Sequence, residues 1–299
     1  MIRLMLTGAG GQVGAEVARA LAGRVELLAF DHASLDLADA EAIRARVREI
    51  RPDAIVNAAA YTAVDRAQAE TDAAHAVNAL APAVLAEEAR RCRAVLLHYS
   101  TDYVFDGAKP GPYVEEDPVA PLNVYGSTKL EGERAIARSG CDHIVLRTQW
   151  VYGPHGRNFL LTMLRLGEER DELRVVDDQR GAPTSSLQLA RLTSGLLGAA
   201  TGEPSAASLE RLRASSGLYH ATASGETSWC RFARAIFEDA IGVSRRPRVI
   251  AISSAEYPTP ARRPANSVLS CEKLANTFGL RIEAWRDGMR EVLSALGRR

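Results

Sequence analysis

A short apolar segment that runs directly into a glycine-rich turn constrains the fold of this chain more than any other feature. Residues 2–6 are mostly apolar and stop at Thr7 and Gly8, which is typical of a strand buried on both faces of a sheet. Apolar residues then recur at helical spacing over residues 12–22, and strand character returns over residues 25–30. The three segments predict one βαβ unit, which requires parallel strands and a right-handed crossover.

The same alternation of strands and helices continues to residue 148. We predict helices at residues 40–50, 72–91 and about 127–139, and strands at residues 54–57, 94–100 and 143–148. Strands joined by helices of this length pair in parallel. The sequence therefore predicts an α/β fold, a Rossmann-type doubly wound parallel sheet with a smaller C-terminal substrate lobe.

The alternation weakens after Trp150, and this change indicates the domain organisation. Residues 199–216 are rich in small and polar side chains, which predicts a linker or surface excursion with one short helix. An amphipathic helix is predicted at residues 229–240. We expect a dinucleotide-binding domain and a substrate-binding lobe, formed respectively by residues 1–150 with 184–222 returning to it, and by residues 151–183 and 223–299.

Charge and cysteine content argue against several classes of partner and site. The chain has 37 lysine plus arginine and 37 aspartate plus glutamate residues, so no overall field favours nucleic acid or a membrane surface. Its four cysteines are far apart and form no CxxC pair, which argues against a zinc site and a disulfide framework. No apolar run approaches the roughly 18 residues that span a bilayer. We expect a cytoplasmic protein whose partner is a small molecule.

A GxxGxxG pattern lies between the first strand and its helix. Its glycines are Gly8, Gly11 and Gly14, and Gln12 and Val13 open the helix. Glycines here permit a tight turn and let the backbone approach a pyrophosphate, whose charge is met by free N–H groups at the start of the helix. The pattern predicts a dinucleotide site.

Residues at the ends of the following strands are candidates for the rest of the cofactor site. Asp31 ends the second strand, where a carboxylate can bind the adenosine ribose and repel a 2′-phosphate. It favours NADH, and a cation from elsewhere in the chain leaves NADPH open. The remaining candidates would flank the adenine or let the cofactor lie across the sheet edge, and they are Asp36, Leu37, Ala58, Ala59 and Ala60.

The strongest chemical signal is a tyrosine and a lysine four residues apart, Tyr125 and Lys129, preceded by Thr101 at the end of a predicted strand. Residues four apart share a helix face, so the ammonium can lie near the phenol. A free phenol has a pKa of about 10, and lowering it by two or three units takes roughly 3 to 4 kcal/mol. We expect Lys129 and a bound nicotinamide to supply this field, which would make Tyr125 a proton donor near neutrality.

The chain resembles the extended short-chain dehydrogenase/reductase family over nearly its whole length. The motifs that carry the resemblance are TGAGGQVG, NAAAYTAVD, STDYVFDG, YGSTKLEGE, LRTQWVYG, NFLLTML, VVDDQRGAPT, GLYHATASGETSW and RRPANSVLS. Several of them are more typical of one nucleotide-sugar reductase branch than of the whole superfamily. That resemblance implies reduction of the 4-keto group of dTDP-4-dehydro-L-rhamnose to dTDP-L-rhamnose, in dTDP-rhamnose biosynthesis, with NADH or NADPH.

The resemblance also implies a role for each site residue. Tyr125 would protonate the sugar oxygen, Lys129 would bind the nicotinamide ribose, and Thr101 would orient the carbonyl. The residues expected beside the sugar are Asp102, Tyr103, Val104 and Trp150. The candidates for the thymidine diphosphate, which planar donors and arginine forks can bind, are Asn158, Gln179 and Arg262 or Arg263. Trp229 is expected to pack on its own helix instead of touching ligand.

Some members of the family dimerise around a metal ion held by glutamates. Glu16 matches one of these ligands, but Leu187 occupies the place of another. A bridging Mg²⁺ is therefore doubtful, and both a monomer and a homodimer stay open.

Two other functional classes stay open at this point. A nucleotide-sugar epimerase or dehydratase shares the glycine turn and the YxxxK pair, and Asp102 beside Thr101 is compatible with a dehydratase. A non-catalytic nucleotide-binding regulator could keep the cofactor turn, although the complete Thr101, Tyr125 and Lys129 set argues against it. Serine hydrolase chemistry is disfavoured because the chain has no GxSxG motif.

Overall fold

The protein is built on a six-stranded parallel sheet, seen here in a computed structural model that describes residues 1–198, 202–242 and 245–298. The strands are β1 Arg3–Thr7, β2 Glu26–Phe30, β3 Ala54–Asn57, β4 Val95–Thr101, β5 His143–Thr148, β6 Val151–Tyr152, β7 Glu172–Val176, β8 Arg180–Gly181, β9 Thr184–Ser185, β10 Gly217–His220, β11 Thr227–Ser228 and β12 Arg248–Ile252. The order in the central sheet is β10-β5-β4-β3-β1-β2, with every neighbouring pair parallel. This confirms the doubly wound fold.

Helices cover both faces of the sheet. They are α1 Gln12–Leu21, α2 Ala40–Ile50, α3 Val64–Ala67, α4 Thr71–His75, α5 Ala81–Cys92, α6 Val124–Ser139, α7 Phe159–Glu169, α8 Ser186–Leu196, α9 Ala206–Ala214, α10 Trp229–Asp239, α11 Glu272–Phe278 and α12 Trp285–Ala295. One apolar core packs α1 and α8 on the sheet, and another packs α2 and α5 on its opposite face. The chain moves from β1 outward to β2 and then back to β3, so the order reverses at β1, where such sheets bind ligands.

A third apolar core lies outside the central sheet. It joins α7, α10, α12 and the parallel pair β7–β12 through buried side chains that include Leu160, Phe232 and Met289. Within the predicted excursion at residues 199–216, residues 199–201 fall outside the described part of the chain. The short helix expected there is α9, whose Leu209 and Leu212 are buried.

The helix that carries Tyr125 and Lys129 begins earlier than the sequence indicated. A start near residue 127 is wrong, because α6 begins at Val124 and the Asn123 side chain caps it by accepting the Gly126 N–H at 2.8 Å. An asparagine in this position satisfies a donor that the first turn leaves free. Tyr125 consequently lies in the first turn of the helix, with Lys129 one turn further along.

The long helix predicted at residues 72–91 is also not regular. Between α4 and α5 the backbone forms a π-helical turn, Ala76–Leu80. Its Asn78 side chain accepts the Tyr61 N–H at 2.9 Å and donates to the Tyr61 carbonyl and to Thr128. Such turns are frequent at functional sites, and this one connects the loop after β3 to α6.

A buried ion pair fixes α6 on the sheet. Arg147 on β5 donates two hydrogen bonds to Glu133 on α6, at 2.9 and 2.7 Å, and the Ser100 hydroxyl donates to the same carboxylate at 2.5 Å. A bidentate pair of this kind restrains orientation as well as distance. It therefore holds α6 in a defined position above the ends of β4 and β5.

Two further observations bear on the sequence-based expectations. The four cysteines, all within the described ranges, are free thiols. Across those same ranges, no helix has the length and apolar character needed to cross a membrane.

Candidate active site

A cleft of about 1020 Å³ opens at the carboxyl ends of the parallel strands. Because every strand of the sheet points to this edge, residues that are far apart in sequence meet here. The sequence-predicted residues that line the cleft are Gly8, Gly11, Gln12, Val13, Asp31, Asp36, Leu37, Ala58, Ala59, Ala60, Thr101, Asp102, Tyr103, Tyr125, Lys129 and Trp150.

The glycine turn forms one wall of the cleft and is tightly packed. Gly8 has a φ of +76°, and a Cβ on it would lie 2.6 Å from the backbone nitrogen of Ala59. A Cβ on Gly14 would lie 2.1 Å from the Gly8 carbonyl oxygen, so Gly14 permits close packing of α1 and does not itself line the cleft. Gly11, the residue before α1, has no side chain to satisfy the first free N–H groups. These groups fit the pyrophosphate of a dinucleotide.

Replacing Gly14 by alanine is expected to lower the free energy of unfolding by about 2–3 kcal/mol, because the added methyl collides with backbone that cannot move aside. NADH binding should weaken as well, since the turn must open. Urea denaturation and a fluorescence titration with NADH measure both effects. Gly111→Ala is the matched control, because a Cβ there meets nothing within 4 Å. Equal stability of the two variants would contradict the tight turn.

Asp31 is held as a carboxylate at the end of β2. It accepts hydrogen bonds from the Ser34 hydroxyl at 2.7 Å and the Ser34 N–H at 2.9 Å. These hydrogen bonds lower the pKa of Asp31 from its usual value. An ionised carboxylate therefore faces the part of the cleft that also contains Asp36 and Leu37.

Thr101, Tyr125 and Lys129 line the same cleft as the glycine turn. Thr101 ends β4, and its hydroxyl donates to Asp102 at 2.9 Å while also lying beside the Tyr125 phenol. Tyr103 meets the Tyr125 ring edge to face, with the ring centroids 5.8 Å apart. The phenol is thus held by groups on the adjoining strand end and helical turn.

The electrostatics of Tyr125 differ from the sequence-based expectation. Burial raises the pKa of Tyr125 to about 12, the Thr101 hydrogen bond opposes this, and the nearby Asp102 charge adds to it. The expected depression by Lys129 is therefore not present in the protein alone. The reason is geometric, because Lys129 Nζ donates to the Tyr99 carbonyl at 2.6 Å and lies 3.1 Å from His98 Nε2.

Lys129 and Asp102 both have pKa values shifted by burial. Burial lowers the pKa of Lys129 to about 8, against the opposing charge of Glu133. Burial also raises the pKa of Asp102 to about 7, although the Ser267 and Thr101 hydroxyls lower it. One carboxylate oxygen of Asp102, Oδ2, has no hydrogen-bond partner among the described residues. Clustered shifts of this size are characteristic of functional clefts.

Three predicted substrate residues line neither this cleft nor the smaller cavity that adjoins it. Val104 is fully buried in an apolar cluster with Phe105. Asn158 caps α7 and donates to Gln12 Oε1 at 2.8 Å, so it supports the cofactor turn from behind. Arg262 contributes its carbonyl oxygen, which accepts from Asn123 Nδ2 at 2.8 Å. Local capping and packing occupy these groups, which a linear motif does not reveal.

Glu16, which matches one metal ligand of the family, is buried within the described structure. Its carboxylate is paired with Arg19 and lies 3.4 Å from His155 Nδ1. Leu187 packs against the third apolar core. Within residues 1–198, 202–242 and 245–298, no group of three or more His, Cys, Asp or Glu side chains is arranged to hold a metal ion.

A second cavity of about 690 Å³ adjoins the cleft. Trp229 lines both, and it stacks on Trp150 with the ring centroids 3.8 Å apart. Trp229 therefore packs on Trp150 in addition to its own helix, a contact that the sequence did not predict. Its partner lies 79 residues earlier in the chain (229 − 150), so no local pattern predicted this contact.

The second cavity is rich in arginine. Its lining includes Gln179 and Arg263, which the sequence predicted, and Arg170, Arg174 and Tyr257, which it did not. Arg263 pairs with Asp65, with its Nη2 2.8 Å from Oδ2, and also hydrogen-bonds Tyr103 of the first cleft. A further unpredicted cation, Arg157, lines the first cleft.

Comparison with known proteins agrees with this architecture. The family model described as RmlD substrate binding domain matches residues 2–298. A dTDP-4-dehydrorhamnose reductase of Burkholderia thailandensis is 47% identical over 292 residues, 95% of this chain and 96% of the relative. The crystal structure of a Clostridium acetobutylicum dTDP-4-dehydrorhamnose reductase has a TM-score of 0.90 at 36% identity, and covers 98% of this chain and 99% of that one. The corresponding Bacillus anthracis enzyme, solved in complex with NADP, has a TM-score of 0.88 at 33% identity, with 98% and 99% covered.

A doubly wound sheet with a glycine turn and a threonine, tyrosine and lysine at one strand edge defines an extended short-chain dehydrogenase/reductase. Within this class the matches extend over nearly the full length of both this chain and its relatives. The chain belongs to the dTDP-4-dehydrorhamnose reductase family.

Proposed function

We propose that this protein reduces the 4-keto group of dTDP-4-dehydro-L-rhamnose to give dTDP-L-rhamnose, with NADH or NADPH as the reductant. The observation that carries the proposal is the convergence of Thr101, Tyr125 and Lys129 on the cleft formed by the glycine turn. The cavity beside it offers three arginines that can bind an anionic substrate, Arg170, Arg174 and Arg263, although Asp65, Glu172 and Glu256 line it as well. Family membership supports the same reaction, and the biosynthesis of dTDP-rhamnose is its metabolic setting.

The fit of a nicotinamide dinucleotide follows from the glycine turn. The positions where a Cβ would collide, Gly8 and Gly14, leave a close backbone turn at the start of α1, which suits a pyrophosphate. Asp31 would bind the adenosine ribose, and the small side chains of Ala58, Ala59 and Ala60 would leave room across the sheet edge. When bound, the reduced nicotinamide supplies the hydride.

The chain itself supplies the proton and the orientation. Tyr125 carries its proton at neutral pH, because burial keeps its pKa near 12. Its hydroxyl donates this proton to the sugar oxygen as negative charge develops there. Thr101 orients that oxygen, and Lys129 restrains the ribose side of the cleft. The stacked pair Trp150 and Trp229 limits water at the reacting end.

The second cavity is proposed as the site of the nucleotide diphosphate. Arg170 offers a cation to the phosphates, and the exposed Tyr257 ring can stack on a base. Arg174 would exchange its ion pair with Glu256, at 2.6 Å, for a phosphate. The Arg263–Tyr103 hydrogen bond joins this cavity to the reacting end of the first cleft. We accordingly propose residues 151–183 and 223–299 as the substrate lobe, and residues 1–150 with 184–222 as the dinucleotide domain.

The reaction is tested by offering 4-keto sugars carried on dTDP, UDP and GDP with each reduced cofactor, and following nicotinamide absorbance and products. We expect stoichiometric oxidation with the dTDP sugar. An epimerase would convert the sugar without net oxidation, and a regulator would bind cofactor without turnover. Either result would overturn the proposed reduction.

The free thiols and neutral charge support a cytoplasmic location.

Replacing Asp31 by alanine is expected to raise the ratio of kcat/KM for NADPH over NADH by about tenfold, since a 2′-phosphate would no longer face a carboxylate. Steady-state kinetics with both cofactors measure the ratio. Glu41→Gln removes an exposed carboxylate from nearby α2 and serves as the control. An unchanged ratio in Asp31→Ala would show that Asp31 does not face the 2′-position.

Replacing Arg174 by glutamine is expected to raise KM for the dTDP sugar about tenfold with little change in KM for NADH, because a cation is lost from the second cavity. Arg165→Gln is the matched control, since Arg165 pairs with Glu169 at the surface. A rise in the cofactor KM alone would instead place the cofactor in the second cavity.

A further inference from the structure

The lysine of the active site is almost completely buried. Lys129 is 1% exposed, and its Nζ has two close polar neighbours, the Tyr99 carbonyl oxygen at 2.6 Å and His98 Nε2 at 3.1 Å. The carbonyl can only accept a hydrogen bond. The imidazole nitrogen can donate or accept, depending on where the ring carries its proton.

The other side of the imidazole decides this question. His98 Nδ1 lies 3.0 Å from Asn57 Nδ2. The Asn57 amide oxygen already accepts from the Thr7 hydroxyl at 2.8 Å and from the Ala59 N–H at 3.2 Å. The opposite amide orientation would place an NH₂ group against the Ala59 N–H. Asn57 Nδ2 is therefore the donor, and His98 Nδ1 is the acceptor.

A neutral imidazole that accepts at Nδ1 carries its proton on Nε2. His98 is completely buried, and burial lowers its pKa well below the usual range. The ring is therefore neutral, and its Nε2–H points at Lys129 Nζ. An ammonium group has no lone pair to accept that hydrogen, whereas a neutral amine has one.

Building on the proposed function, we propose that His98 is a positioning residue for Lys129. Its Nε2–H faces the lysine, favours the uncharged amine over the ammonium in the cofactor-free protein, and directs the remaining N–H toward the cleft. The order of donors runs from Asn57 to His98 to Lys129, and Lys129 in turn donates to the Tyr99 carbonyl.

The surrounding charges are consistent with an uncharged amine. Glu133 is the carboxylate that acts on Lys129, and it is already neutralised by the bidentate Arg147 and hydrogen-bonded by Ser100. Among the described residues, Lys129 is the charged group acting on His98. A buried ammonium would thus have a carbonyl oxygen but no free counter-ion beside it, which is costly.

Nitrogen NMR of ¹⁵N-histidine-labelled protein tests the proposal without any substrate, so its outcome is independent of the reaction assay. The His98 signals are assigned by their loss in His98→Gln, among the six histidines of the chain. We expect a neutral ring with its proton on Nε2 at pH 6 to 8. A proton on Nδ1, or an imidazolium, would overturn the proposal whatever the enzyme reduces.

A pH profile gives the functional readout. In His98→Gln the amide can turn its oxygen to Lys129 and favour the ammonium. The alkaline limb of the pH profile of kcat/KM for NADH should therefore shift to higher pH by about one unit. His220→Gln is the control, because it removes another buried imidazole, which does not line the cleft and whose Nδ1 hydrogen-bonds the Ser270 carbonyl. An alkaline limb that stays at the same pH in His98→Gln, or that shifts equally in His98→Gln and His220→Gln, would contradict the positioning role.

Discussion

Replacing Tyr125 by phenylalanine is expected to lower kcat by about 10³-fold, because the reaction loses the proton donor to the sugar oxygen. The ring and its edge-to-face contact with Tyr103 are kept. NADH affinity should therefore change by less than about twofold. Stopped-flow or steady-state absorbance gives kcat, and a fluorescence titration gives the dissociation constant.

The matched control is Tyr219→Phe, which removes a hydroxyl that donates to the Ser215 carbonyl at 2.7 Å, far from the cleft. It should keep kcat within about twofold of the parent. Full turnover in Tyr125→Phe would show that the proton comes from another group, and Asp102 would then be the next candidate because its pKa lies near 7.

Replacing Lys129 by methionine is expected to lower kcat/KM by about 10³-fold and to weaken NADH binding about tenfold, a double effect that separates it from Tyr125→Phe. Methionine fills the buried space of the lysine stem but offers no donor to the ribose or the Tyr99 carbonyl. Isothermal titration with NADH and initial rates with the dTDP sugar measure the two losses separately.

Lys273→Met is the control, since Lys273 is partly exposed and pairs with Glu116 at the surface. Its kinetic constants should match those of the parent. If Lys129→Met bound NADH as tightly as the parent and lost only kcat, the lysine would act on Tyr125 alone and not on the cofactor.

Local patterns predicted the parts of this molecule that depend on neighbouring residues. The βαβ unit, the turn at Gly8 and the pairing of Tyr125 with Lys129 on one helix face follow from apolar periodicity and four-residue spacing. The carboxyl ends of parallel strands share one edge, which brings Thr101 to the same cleft. Asn123 was a readable capping signal as well, and it would have placed the start of α6 correctly.

The remaining features depend on contacts between distant segments. His98 contacts Asn57, which lies 41 positions away in the sequence. Trp229 stacks on Trp150, which likewise lies outside any local pattern. The pKa of Tyr125 rises because the folded protein buries the phenol while directing Lys129 elsewhere, and spacing alone carries no information on burial. In the sequence, nothing distinguishes Arg170 and Arg174 from ordinary surface charges. Only the folded structure shows that they line the same cavity.

The most direct measurement uses NADH that carries two deuterium atoms at C4 of the nicotinamide, so that either face transfers the label, with dTDP-4-dehydro-L-rhamnose as the substrate. Mass spectrometry and proton NMR locate the label. The proposed reduction predicts one deuterium at C4 of dTDP-L-rhamnose for each NADH oxidised. Recovery of all the label in the cofactor, with the sugar epimerised or unchanged, would contradict it.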